Sequence, residues 1–146
     1  VSGRAGRSLR AGKVMIQTYY PNQIVIQALK KHDRSLFVEQ ALKEREQFKA
    51  PPFGFMTSLI VSGSSQAIVN NYALDLIKTP INDKFIEILG PVEAPLFLLR
   101  GKYRYRILLK GNNRKNLNKF TLKMMNFITK PSSVKLVIDV DPYSFV

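Results

Sequence analysis

Cysteine is absent from the 146 residues. That removes disulfides, Cys-ligated zinc and thiol catalysis from the chain itself, and it fits a reducing compartment. Histidine occurs once, as His32. A lone imidazole is a poor nucleus for a metal site; beside Lys30 and Lys31 at a helix end, it is expected to cap or cover that end. No apolar run approaches the roughly 18 residues of a membrane span, no signal-peptide pattern occurs, and no helix has the strongly apolar face that lying on a membrane requires. Acidic residues are scarce, 10 against 23 Lys+Arg, for a net charge of +13. This balance excludes an acidic solvating tail or an EF-hand buffer. Yet 45% of the residues are hydrophobic and only 23% charged, so the chain is not a disordered polycation. It is expected to fold and to meet a polyanion.

The length suits one compact domain, or a small domain with an appendage. The first residue is Val1, and the opening residues read as the interior of a longer protein, so a fragment is expected. Residues 1–12 are small and basic and read as a loop or short helical turn. Gly12 to Thr18 alternates Val14, Ile16 and Thr18 against Lys13, Met15 and Gln17, predicting a strand. Gln23 to Lys31 predicts a short helix. Asp33 or Ser35 can cap a second helix running to about Lys49, and Pro51-Pro52 stops it. A domain boundary is placed there, between residues 1–50 and 51–146.

From Phe53 onward the pattern is strand, helix, strand, strand, helix, strand. The strands are about 55–61, 85–89 (ended by Gly90-Pro91), 96–110 (one long strand, bent or bulged at Gly101) and 134–140. One helix starts at Ser65, its N-cap, and lines up Val69, Tyr72, Ala73 and Leu76. The other covers about 114–129, with Leu117, Phe120, Met124 and Phe127 or Ile128 on its apolar face and Met124-Met125 as core filling. The fold class is therefore α+β, and the βαββαβ order is that of a ferredoxin-like two-layer sandwich. Such folds host many functions, so the order says nothing about activity.

Two sets of residues can carry chemistry. Gly3-Arg4-Ala5-Gly6-Arg7 places two arginines three apart, on one side of a helical turn, with glycines that allow close backbone approach. Arg pairs bidentately with phosphate oxygens, so Arg4 and Arg7 form a candidate phosphoryl clamp; the bland alternative is a basic loop.

The second set begins at Lys102-Tyr103-Arg104-Tyr105-Arg106. Alternation on a strand puts Lys102, Arg104, Arg106 and Lys110 on one face, and Tyr103, Tyr105, Ile107 and Leu109 on the other. From Ala94 to Ile138 there are eleven Lys/Arg and no acid, whereas solvated faces usually mix both signs. Lys115, Lys119 and Lys123 add an i, i+4, i+8 stripe. Arg100, Lys102, Arg104, Arg106, Lys110, Arg114, Lys115 and Lys119 are the candidate DNA-backbone contacts. Tyr103 or Tyr105 would stack on an unpaired base if exposed; core packing is the expected fate of both. Asp139 and Asp141 share a face, where they are expected to neutralise nearby cations, and Asp141-Pro142 to start a turn; acid–base or metal work is the alternative.

VSGRAGR resembles the last signature motif of superfamily 2 helicases, Q-x-x-G-R-x-G-R, without its Gln. GKVMIQTYYP, APPFG at 50–54, GPVEAPLFLLRGKYRYRILLKG at 90–111 and VIDVDP at 137–142 narrow the resemblance to the C-terminal end of the PriA family of bacterial replication-restart helicases. It covers nearly the whole chain.

The resemblance implies that residues 1–50 end the second RecA-like α/β helicase lobe, and that 51–146 are the C-terminal DNA-binding domain. It implies a parent that is an ATP-dependent 3′-5′ DNA helicase, binds branched DNA at stalled forks, restarts replication and assembles with primosome and single-strand-binding proteins in the bacterial cytoplasm, near the nucleoid. Gly3, Arg4, Gly6 and Arg7 would meet the γ-phosphate of ATP, with Mg²⁺, in the intact parent. The family's zinc site lies outside this chain. Since the chain has no phosphate loop and no acidic Mg²⁺ motif, no ATPase activity and no independently bound cofactor are expected of it alone. An RNA- or ribosome-associated basic α+β module is the alternative reading.

Overall fold

The computed structural model describes residues 14–81 and 83–142. Gly3, Arg4, Gly6 and Arg7 lie outside the described residues. The chain divides into two units, residues 1–42 and 43–146.

In the first unit, α1 spans Ile24–Lys31 and α2 begins at Arg34, running to Gln47. His32 terminates α1 in a left-handed conformation, φ 53°, with its N–H on the Leu29 carbonyl; the expected C-terminal role of this histidine holds. Asp33 Oδ1 accepts from Leu36 N at 3.0 Å and so caps α2. Residues 14–18 form no strand. Their alternation is real, but a strand exists only in a ladder that satisfies its N–H and C=O groups, and no described strand pairs with them. Of residues 14–42, only Ala28 is buried, while Met15, Ile16, Tyr19, Tyr20 and Leu29 are exposed.

The second unit holds β1 (Phe55–Gly63), α3 (Gln66–Ile77), β2 (Ile86–Leu99), β3 (Lys102–Gly111), α4 (Arg114–Phe127) and β4 (Val134–Val140). The four strands form one antiparallel sheet in the order β2-β3-β1-β4, so the fold is α+β. Ladder partners Thr57–Leu109, Leu59–Ile107 and Val61–Tyr105 point to one face. There α3 delivers Val69, Tyr72, Ala73 and Leu76, and α4 delivers Leu117, Phe120 and Met124. All are buried, as the 3.6-residue spacing predicts. Burial lifts the Tyr72 phenol above its ordinary pKa. Ile128, not Phe127, completes the α4 side of the core. Ser65 holds the N-cap position of α3, without a side-chain bond. Asn113 caps α4 through Oδ1, which accepts from Asn116 N at 3.2 Å.

Two strand expectations are corrected. The segment 96–110 is not one strand: it folds back at Arg100-Gly101 into a hairpin in which Leu99 pairs with Lys102. Both turn residues have positive φ, 51° and 73°, which is the two-residue turn whose twist matches antiparallel strands. Nor does β2 end at Gly90-Pro91. It continues to Leu99 with register shifts between Leu89/Val92 and Glu93/Leu98. As an edge strand it tolerates a residue without an N–H, and Gly90, at φ 101°, takes a conformation open to glycine.

Candidate nucleic-acid interface

Both helices that pack on the sheet occupy one face, so its other face carries the residues that alternate with the core. Reading across the ladder, one row is Arg104–Ser62–Lys135; the next is Val92–Arg106–Ile60–Val137; a later one is Glu87–Lys110–Met56. Lys102 precedes Arg104 on the same face by alternation. The predicted cationic face therefore forms. Lys135 joins it across Ser62, about 10 Å from Arg104 at two interstrand spacings. Strand alternation within VKLVIDV held the signal for Lys135, but only the β1–β4 register attaches it to this face.

The cations differ in how committed they already are. Lys110 Nζ lies 3.2 Å from Glu87 Oε2. Arg104 Nη1 donates to the Pro95 carbonyl at 3.1 Å, which orients the guanidinium. Arg106 is half-buried. Arg100 and Lys102, at the hairpin tip, and Lys135 are exposed, with no carboxylate partner among the described residues.

Arg114 belongs to a different cluster: its guanidinium pairs with Asp141 and lies 5.1 Å from the Phe55 ring centroid. Asp141 Oδ1 also accepts from Met56 N at 3.1 Å. The expected neutralising role of Asp141 holds, with Arg114 as its partner, while Asp139 is exposed. Among the described residues, no three His, Asp or Glu side chains gather as a metal site. Lys115 and Lys119 project from α4 and do not join the sheet-face row; they stand on the opposite side of the domain.

The tyrosines are spoken for. Tyr105 is buried and meets Phe97 edge-on at 5.4 Å, while Tyr103 meets the same ring at 5.5 Å. Gln66 Nε2 donates to the Tyr105 hydroxyl at 3.4 Å. The cationic face is thus lined by aliphatic neighbours such as Val92, Ile60 and Val137, with no aromatic among its ladder residues. Such a surface suits a sugar–phosphate backbone and gives bases no stacking platform.

Residues 46–143 match the family model described as primosomal protein N C-terminal domain. The replication restart protein PriA of Rickettsia conorii is 39% identical over 145 residues, covering 99% of this chain and 22% of that protein. Its namesake from Synechocystis sp. is 38% identical over 146 residues, covering 99% of this chain and 17% of that one. The Bacillus subtilis protein of the same name is 30% identical over 149 residues, covering 98% and 18%. The chain spans about a fifth of the length of these curated relatives.

Proposed function

The chain belongs to the primosomal protein N C-terminal domain family, and from that membership we propose that it is the DNA-binding C-terminal piece of a replication-restart protein. The observation that carries this reading is the sheet face opposite α3 and α4. It bears Lys102, Arg104, Arg106, Lys110 and Lys135, within a stretch, Ala94 to Ile138, that contains no acid. A face on which these five cations stand against Glu87 and Asp139, with no aromatic among its ladder residues, holds phosphates rather than reading bases. The chain's relatives are named for replication restart, which makes DNA the natural polyanion.

The finer readings belong to the same proposal. Strand order β2-β3-β1-β4 with helices on one face supports a ferredoxin-like sandwich. The scarcity of buried residues in 14–42 supports their being part of a larger helicase lobe. In the intact parent, an ATP-dependent DNA helicase, Gly3, Arg4, Gly6 and Arg7 would meet the nucleotide phosphates, and primosome and single-strand-binding proteins would be partners. Bacterial cytoplasm at the nucleoid is the matching location.

Affinity for forked, duplex and single-stranded DNA over a salt series tests the proposal. Lys102→Ala is expected to flatten the log–log salt slope by about 0.7–0.9, the share of one phosphate contact. Lys110→Ala changes it less, because Glu87 already holds that ammonium. Equal slopes for Lys102→Ala and the parent chain would remove the sheet face from the interface.

A further inference from the structure

We propose that the outer face of α4 is a second polyanion-binding surface, so that one copy of the domain holds two nucleic-acid segments on opposite sides. The proposal rests on the DNA-binding reading of the sheet face and extends it. Lys115, Lys119 and Lys123 are exposed, whereas Leu117, Phe120, Thr121 and Met124 are the buried residues of the same helix. At 3.6 residues per turn, the lysine stripe centres about 150° from the buried side. It faces away from the sheet, and Lys102, Arg104, Arg106 and Lys135 face the other way. Sheet and helix together separate the two surfaces by on the order of 15 Å. A nucleic acid lying along one surface leaves the other uncovered.

Three features set this stripe apart from an ordinary solvated helix face. The helix sequence RKNLNKFTLKMMNF contains no acid at all, so the usual interleaving of signs is missing. The lysines recur at i, i+4, the spacing at which like charges repel. The first turn carries Lys115, where the helix dipole disfavours a cation; the helix has no acidic residue to offset it, and the nearby Asp141 is already paired with Arg114. Each feature is unfavourable to the isolated chain and is relieved by bound anions. None of the three lysines has a carboxylate partner among the described residues.

The dimensions also agree. Lys115 to Lys123 covers about 12 Å of helix, and one strand of a duplex presents about three to four phosphates over that length. Asn116 and Asn126, both exposed, flank the stripe with amide donors that suit phosphate oxygens.

The test uses the full 146-residue chain and a short DNA duplex. Mass photometry at saturation is expected to show one chain with two duplexes. An immobilised duplex loaded with the chain should retain a second, labelled duplex. Lys115→Glu/Lys119→Glu/Lys123→Glu should stop at one duplex, with second-duplex affinity lowered about 100-fold at about 0.1 M salt and binding of the first duplex kept. Its circular dichroism should match that of the parent chain, since all three side chains are exposed. Saturation of the parent chain at one duplex overturns the second surface while leaving the sheet-face reading intact. A complex of two chains with two duplexes overturns it as well, because pairing of chains then makes the bridge. Failure to bind any duplex overturns the DNA-binding reading and this extension together.

Discussion

Leu59→Ala is expected to lower the unfolding free energy of the chain by about 2–5 kcal/mol. Leu59 is fully buried on β1, opposite Ile107 of β3 and Ile138 of β4, and it belongs to the core that Val69, Tyr72 and Leu76 of α3 and Leu117 and Met124 of α4 complete. Truncation removes apolar surface that was out of water and leaves a cavity that strands and helices anchored on both sides can only partly close. A small domain holds only about 5–15 kcal/mol in all, so a large share disappears. Urea denaturation reads the effect as a lower midpoint at unchanged slope. Leu96→Ala is the matched control: Leu96 is 70% exposed on the edge strand, and a surface change of this kind stays within about 0.5 kcal/mol. Equal shifts for the two variants would mean that the helix-covered face is not the core.

Reversing three exposed cations of the other face acts on binding instead of stability. Arg100→Glu/Lys102→Glu/Lys135→Glu is expected to weaken duplex binding by about 100-fold or more at about 0.1 M salt, through counterion release alone. Each lost phosphate contact removes about 0.7–0.9 from the salt slope, and three together remove about two units or more over the decade from about 1 M to about 0.1 M. Repulsion from the introduced carboxylates adds to the loss. The residues are exposed and make no ion pair among the described residues, so the urea midpoint should stay near that of the parent. Fluorescence anisotropy of a labelled duplex over a salt series measures the effect. Including Lys135 matters: if Arg100→Glu/Lys102→Glu carries the whole loss, β4 does not share the interface.

These two faces illustrate how much could be read before the fold was known. Residues Val69, Tyr72, Ala73 and Leu76, and the strand set Tyr105, Ile107 and Leu109, follow from periodicities of 3.6 and 2, which are local properties of a helix and a strand. The cationic alternation Lys102, Arg104, Arg106 and Lys110 was legible for the same reason. The hairpin was not. A run from Leu96 to Lys110 that is apolar and then alternating carries no break stronger than Gly101, and the reversal rests on two consecutive positive-φ residues, one of them Arg100. The strand expected over Gly12–Thr18 failed in the opposite sense across its described residues, 14–18: their alternation needed a partner that local pattern cannot supply.

By itself, then, the sequence determined α3, α4, β1 and β4 of the second unit, which side of each helix is apolar, and a concentration of positive charge in an acid-free stretch. These are set by side-chain chemistry at short range. Only tertiary structure decided how the charges are shared out. The β1–β4 register brought Lys135 beside Arg104 across Ser62, and ion pairing engaged Lys110 with Glu87 and Arg114 with Asp141. Packing of α4 on the core face turned Lys115, Lys119 and Lys123 to the far side. Charges distant in sequence become one surface or two according to which strands pair and which face a helix covers, and neither is encoded within any single element.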